Sequence, residues 1–252
     1  MTTDIKTHYV SMLGIFPPDL AKQYKHGNYR YSHSRSETVS ESAYSFLEST
    51  VESFDKQNIS IVDFGGGVGV NYMELKRKTK KTFSYNIIEL PDAFRELGSE
   101  VQYHEDVMGI DEHVDVFYSD STLHLTKDTA IETLDQFCSV GADIMVLPRC
   151  IFNTNGVDFS SHAFPLDLFF DILDKDRFED HVKSYGYTID YVKEHNNMKF
   201  DVFQLPDCSM DTLNQVIVEI NDPLVDTKYR LIKTNAKVTY FDYVLRKKAS
   251  VD

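Results

Sequence analysis

The most constraining stretch of this chain is Asp63-Phe64-Gly65-Gly66-Gly67-Val68-Gly69, which follows the apolar run Ile59-Ser60-Ile61-Val62. A short apolar run ending in glycines reads as a strand entering a tight turn, and the spacing of Tyr72, Leu75 and Arg77 reads as a helix leaving it. Glycine tolerates positive φ and lets a ligand approach bare backbone. The first turn of a helix offers unpaired N–H groups to a carboxylate or phosphate. A second strand, Phe83-Ser84-Tyr85-Asn86-Ile87-Ile88-Glu89, closes on an acid where nucleotide-binding α/β folds place an acceptor for ribose hydroxyls. Asp63 can accept from the ammonium of an amino-acid-bearing ligand, directly or through water. Two better-known glycine motifs fail here. The dinucleotide pattern G-x-G-x-x-G meets Val70 when counted from Gly65 and Tyr72 when counted from Gly67, and no Gly-Lys-Ser/Thr follows to make a P-loop. The plainer alternative is a turn that merely packs a helix on a strand. Three consecutive glycines plus Gly69, with an acid before them and another closing the next strand, weigh against it.

Short apolar strands and helices go on alternating beyond the turn. Pro91 should open a helix. Val101-Gln102-Tyr103-His104 reads as a third strand and Val114-Asp115-Val116-Phe117-Tyr118-Ser119 as a fourth, followed by a helix over 127–138. Ala142-Asp143-Ile144-Met145-Val146-Leu147-Pro148 reads as a fifth strand. Such alternation predicts a buried, mostly parallel sheet. Before it, Val39, Ala43, Phe46, Leu47, Val51 and Phe54 recur at helical spacing over 36–54, with Ser36 as a candidate cap. After it, 153–165 reads as a loop, 174–184 as a helix, 186–192 as a strand and 237–246 as a last strand, while 199–235 is the least legible part. The expected organisation is an N-terminal helical or cap segment over 1–55 and a ligand-binding domain over 56–252, with a substrate-binding insertion around 199–235.

With 252 residues, 42% hydrophobic and 26% charged, one globular α/β domain with a substantial core is expected. Lys and Arg number 26 against 40 Asp and Glu, a formal charge of −14, which disfavours a nucleic-acid partner. The basic run Lys76-Arg77-Lys78-Thr79-Lys80-Lys81 reads as a solvated face. No apolar run approaches the roughly 18 residues that cross a bilayer, and Met1-Thr2-Thr3-Asp4-Ile5-Lys6 lacks the start of a secretory signal. A cytoplasmic protein without a membrane partner is expected. Cys138, Cys150 and Cys208 form no CxxC pair, and the first two lie in apolar surroundings suited to a core. With neither HExxH nor His-x-His, no metal site is expected.

Val62-Asp63-Phe64-Gly65-Gly66-Gly67-Val68-Gly69 resembles the first motif of the class I S-adenosylmethionine-dependent methyltransferases, and Ile87-Ile88-Glu89 resembles their ribose-binding acid. His104-Glu105-Asp106-Val107 resembles their adenine-contacting stretch, and Ser119-Asp120-Ser121-Thr122-Leu123-His124-Leu125 the segment that faces cofactor and substrate. More narrowly, Asp63 to Tyr72 together with Leu147-Pro148-Arg149 is similar to a little-studied set of methyltransferases associated with surface-polysaccharide biosynthesis. The resemblance implies a Rossmann-like α/β fold: a mostly parallel seven-stranded sheet, an antiparallel C-terminal strand and helices on both faces. It implies S-adenosylmethionine as cofactor and S-adenosylhomocysteine as product. The implied cofactor contacts are Asp63, Gly65, Gly66, Gly67, Gly69, Asn71, Tyr72, Glu89, Leu90, Asp106, Val107, Ser119 and Asp120.

Methyl transfer is an in-line displacement, so an acceptor must be held close to the methyl carbon and a hydroxyl acceptor must lose its proton. Ligands of open α/β sheets lie beyond the carboxyl ends of the strands. His124 follows the fourth strand, while Arg149, Asn153, Asn155 and His162 follow the fifth. His124 and His162 are the candidate bases, His33 a weaker third. Each has a plainer role open to it, packing for His124 and a polar loop for His162. Arg149 is suited either to a substrate carboxylate or phosphate or to anchoring a local acid. His181 and His195 read as surface residues. The leading reading is O-methylation of a small molecule or sugar; a non-catalytic partner subunit of the same fold, or an N-methyltransferase, is the alternative. The expected partner is a small acceptor, and a homodimer is one assembly open to such a chain.

Overall fold

The structure is a computed structural model; it describes residues 8–11, 41–89, 91, 94–123, 129–154, 156, 159–164, 168–204, 217–222 and 227–249. In chain order the elements are β1 (His8–Ser11), α1 (Glu41–Glu52), β2 (Asn58–Phe64), α2 (Val70–Lys78), β3 (Thr82–Ile88), β4 (Val101–His104), β5 (Val116–Tyr118), α3 (Ala130–Ser139) and β6 (Ile144–Asn153). There follow β7 (Phe159–Phe164), β8 (Leu168–Ile172), α4 (Lys175–Ser184), β9 (Tyr187–Gln204), β10 (Ile217–Asp222) and β11 (Thr227–Lys247).

Seven strands in the order β4-β3-β2-β5-β6-β11-β9 make the core of the sheet. The first five are parallel neighbours, and β11 runs antiparallel to both β6 and β9. Successive side chains of a strand point to opposite faces, and here both faces are apolar. Ile61, Val116, Tyr118, Ile144 and Val146 pack with Tyr44, Leu47 and Val51 of α1 and Tyr72 and Leu75 of α2. Their neighbours Val62, Phe117, Met145 and Leu147 pack on the other face with Leu134 and Phe137 of α3 and Phe178 and Val182 of α4. Cys138 and Cys150 are buried in this second cluster, as their surroundings predict. No helix among the described residues is long and apolar enough to cross a membrane.

Helix ends follow local chemistry. Thr129 and Glu132 form a reciprocal capping box that starts α3 at Ala130, a little later than its periodicity predicts. Asp174 caps α4 by accepting from the amides of Asp176 and Arg177. The helix expected from Pro91 is not formed over 94–98, where the chain runs without regular structure. α1 begins at Glu41 among the described residues, and Ser36 lies outside them.

The departures gather after Arg149. Residues 159–164, expected as loop, are β7, and β9 and β11 run as long partners far into the stretch expected as an insertion. β1 joins the sheet between β9 and β7, and β7 pairs with β8. The chain after β8 then meets β6 again: Asn153 donates to the Leu173 carbonyl at 3.0 Å, and Asn153 bridges Asp174 in parallel register. The hydrogen-bonded path β6-β11-β9-β1-β7-β8 therefore closes on itself. This ring stands on the carboxyl edge of the sheet, formed by pairings that no local pattern encodes. A ring has no free edge, which removes the exposed backbone of an open sheet at that point.

Candidate functional site

Asp63 lies at the carboxyl end of β2, level with Ile87 of β3 and Tyr118 of β5. It is 1% exposed. Its Oδ2 accepts from the Tyr85 hydroxyl at 2.8 Å and from Asn71 Nδ2 at 3.1 Å. No hydrogen bond from a described residue reaches Oδ1. Burial pushes the carboxyl up to about 6, against the lowering effect of the Tyr85 and Asn71 bonds; Asp120 and Glu89 push it further up. A buried, half-partnered acid of this kind is suited to a cation.

The turn after it is built as its glycines suggest. Gly65 has φ of 75° and Gly69, which opens α2, has φ of 81°. A side chain at Gly65 would also put its Cβ 2.6 Å from Thr122 Cγ2. The absent side chain at Gly65 thus makes room for the loop after β5, rather than directly for a ligand. Gly66 stands against the Asp63 carboxyl, where a Cβ would come within 2.7 Å of Cγ. Glu89, just past β3, turns back over the bend, and its Oε2 accepts from the Gly67 amide at 3.2 Å.

The loop after β5 completes this corner. Ser119 is buried, with Oγ 2.8 Å from Thr122 Oγ1. Asp120 takes a two-pronged ion pair from Arg149, with Nε to Oδ1 at 2.8 Å and an Nη to Oδ2 at 2.6 Å. The two non-glycine residues with positive φ among those described are Ser121 at 58° and Arg149 at 54°, each a strain of about 1–3 kcal/mol. Arg149 sits where β6 bulges against β11, since the register jumps from Phe241 to Tyr243. Its amide donates to Asp242 Oδ1 at 2.9 Å. Arg149 thus anchors a local acid, one of the two roles open to it.

Asp242 is 3% exposed, and its Oδ2 lies 2.7 Å from His195 Nε2. A carboxylate only accepts, so Nε2 carries the proton of that bond. His195, read from sequence as a surface residue, is a half-buried partner of a buried acid, its side chain 16% exposed. The irregular register of β9 against β11 carries it there: Phe241 faces Glu194 while Thr239 faces Lys199. One signal in the sequence bears on it: an acid, Asp242, inside the otherwise apolar run Tyr240-Phe241-Asp242-Tyr243-Val244-Leu245.

Other expected residues lie elsewhere. Tyr72 is corrected: its ring is 2% exposed and edge-on to Tyr85 at 5.3 Å, and its hydroxyl meets Glu100 and Lys76, so it packs α2 on the sheet and does not face the turn. Asp106 is exposed and caps a short 3-10 turn through Met108 N at 2.9 Å, while Val107 is buried beside it. Leu90, His124, Asn155 and His33 lie outside the described residues, as does the side chain of His162, whose backbone belongs to β7. His181 is half-buried against Asp135 at 2.8 Å. On the opposite, amino edge of the sheet, His113, Asp115 and Asp143 bring ligand atoms within 4.8 Å of one another. There the Lys56 ammonium already stands 2.5 Å from Asp115 Oδ1.

The order β4-β3-β2-β5-β6-β11-β9, with one antiparallel strand inserted next to last, decides the architecture. The chain has the Rossmann-like methyltransferase fold. An O-methyltransferase family protein from Burkholderia thailandensis matches it with a TM-score of 0.54 at 13% identity, over 90% of this chain and 62% of that one. The [4+2]-cyclase SpnF matches with 0.53 at 12% identity over 86% of each chain. The N-terminal domain of EvdMO1, solved with S-adenosylhomocysteine bound, matches with 0.50 at 13% identity over 83% of each. These likenesses extend to the fold. Compared with models of protein families and with curated proteins, the sequence matches none.

Proposed function

We propose that the chain binds S-adenosylmethionine at the carboxyl edge of β2 and β3 and transfers its methyl group to a hydroxyl of a small molecule or sugar. The observation that carries this is the pair of carboxylates flanking the glycine bend. Asp63 is a buried carboxylate whose described hydrogen bonds, from Tyr85 and Asn71, both go to Oδ2, so its other oxygen is suited to the ligand's ammonium. Glu89 already lies over the bend at the Gly67 amide, suited to the two ribose hydroxyls. The residues present therefore match the charge and hydrogen-bonding groups of the cofactor. Bound there, it supplies an electrophilic methyl group on a sulfonium, and the protein's part is to hold that group and the acceptor in line. The net charge of −14 favours a small acceptor over a nucleic acid. The narrower sequence likeness makes sugar precursors of surface polysaccharides the first acceptors to try.

Titration of the full chain with S-adenosylhomocysteine by calorimetry tests the binding half of the proposal. One site per chain is expected, and no binding at millimolar ligand overturns it. Transfer of a labelled methyl group to a panel of hydroxyl and amine acceptors tests the other half.

One observation favours a second reading, a protein of this fold that performs no methyl transfer: a [4+2]-cyclase shares the architecture. Tight binding without a methylated product from any acceptor in the panel would favour that reading.

A further inference from the structure

We propose that His195 is the base that removes the acceptor's proton, with Asp242 as its positioning residue; this rests on the methyltransferase reading above. Six strands adjacent in the sheet each bring one polar residue to the same edge: Glu89 after β3, Asp63 on β2, Asp120 after β5, Arg149 on β6, Asp242 on β11 and His195 on β9. From Asp120 onward the line is continuous, through the Arg149 fork, the Arg149 amide and the Asp242 carboxylate to the imidazole. A ligand whose sugar meets Glu89 and whose ammonium meets Asp63 occupies the β3 and β2 end of this line. Its acceptor would then lie farther along the edge, over β5, β6 and β11, and the Asp242–His195 pair stands on β11 and the adjoining β9.

The pair has the chemistry of a base. Asp242 fixes the Nε2–H tautomer, which leaves Nδ1 as the unprotonated nitrogen. No described group bonds Nδ1. The acceptor oxygen attacks the methyl carbon, the carbon–sulfur electron pair stays on sulfur, and the acceptor proton passes to Nδ1. The resulting imidazolium sits against the Asp242 carboxylate, which is held in place by the Arg149 amide. Three strands, β6, β11 and β9, belong to both the ring β6-β11-β9-β1-β7-β8 and the line, so the pair stands where the two join.

A purely structural pair would also pin the bulge of β9, where Thr239 Oγ1 donates to the His195 carbonyl at 3.2 Å. The test must therefore include readouts that a structural role leaves unmoved. Nitrogen-15 NMR of histidine-labelled protein at pH 8 should show the Nε2–H form for His195 and loss of that preference in Asp242→Asn. On a hydroxyl acceptor, His195→Gln should lower kcat about 100-fold or more, the usual range for a lost general base. Its acceptor KM should change less than about threefold, and its residual rate should climb with pH as hydroxide replaces the base. Affinity for S-adenosylhomocysteine should stay within about twofold, because none of the cofactor's proposed contacts is removed.

A His195 protonated on Nδ1, a His195→Gln protein with wild-type kcat on a hydroxyl acceptor, or a wild type that methylates only amines overturns the proposal. Failure of the wild type to bind S-adenosylhomocysteine is a separate result: it removes the cofactor reading, whatever tautomer His195 adopts.

Discussion

Asp63→Asn should make the protein more stable and worse at binding the proposed cofactor. The wild-type carboxyl rises from 3.8 to about 6 because it is buried. At 1.36 kcal/mol for each pH unit, the ionised form is disfavoured in the folded state by about 3 kcal/mol at neutral pH. Because the folded state holds the proton more tightly than the unfolded state, this group favours folding at low pH. That contribution disappears as pH rises from about 4 to about 6. Asparagine carries no charge to desolvate, and its oxygen can still accept from Tyr85 and Asn71 as Oδ2 does. The gap in melting temperature between variant and wild type should be near zero at pH 4 and should open through pH 6. It should reach several degrees at pH 7, given about 2–4 °C per kcal/mol for a chain of this size. Affinity for S-adenosylhomocysteine should fall roughly 10- to 100-fold, matching the loss of one charge-assisted bond of about 1.5–3 kcal/mol. The wild type itself should bind less tightly below about pH 6. Thermal melts across pH 4–8, paired with calorimetry at pH 7.5, decide the matter. A melting gap that does not change with pH, or unchanged affinity in the variant, would refute the reasoning.

Gly65→Ala should destabilise by about 2 kcal/mol or more in urea, combining the left-handed backbone penalty with the Cβ that meets Thr122 Cγ2 at 2.6 Å; adding Thr122→Ser, which deletes that methyl, should recover part of the loss, and no recovery would place the penalty in the backbone alone. A double-mutant cycle on Arg149 and Asp120 should give a coupling of about 1 kcal/mol or more, above the 0.2–1 kcal/mol usual for exposed pairs, because the fork is two-pronged and only partly exposed; zero coupling would remove the pair as the brace of the strained Ser121 and Arg149. Burial raises the Cys138 thiol to about 12 and the Cys150 thiol higher still, so peptide mapping after treatment with a thiol reagent at pH 8 should find both unlabelled in the native protein and labelled once it is unfolded; native labelling of either would contradict their burial.

The contrast between Arg149 and His195 shows how the site divides between local and distant causes. Arg149 was legible as a strand-end residue, because Leu147-Pro148-Arg149 closes an apolar run. Its role was not legible, because it depends on Asp120, held 2.6–2.8 Å away across the edge of a neighbouring strand. His195 looked like one more polar residue in Lys193-Glu194-His195-Asn196-Asn197. Only the pairing of β9 with β11 sets it against Asp242, 47 positions away in sequence.

What the sequence alone determined is the part governed by near neighbours: the strand, glycine bend and helix around Asp63, the acid closing β3, the alternation of strands and helices, and the two apolar faces. Periodicity, turn chemistry and burial act over a few residues, so they can be read in one dimension. Tertiary structure decided the rest: the ring closed by Asn153 on Leu173 and Asp174, β7 in place of a loop, the inward Tyr72, and the Asp242–His195 pair. These depend on backbone hydrogen bonds and ion pairs between segments distant in the chain. Their energy belongs to the pairing and not to either partner, so neither partner's own sequence announces it.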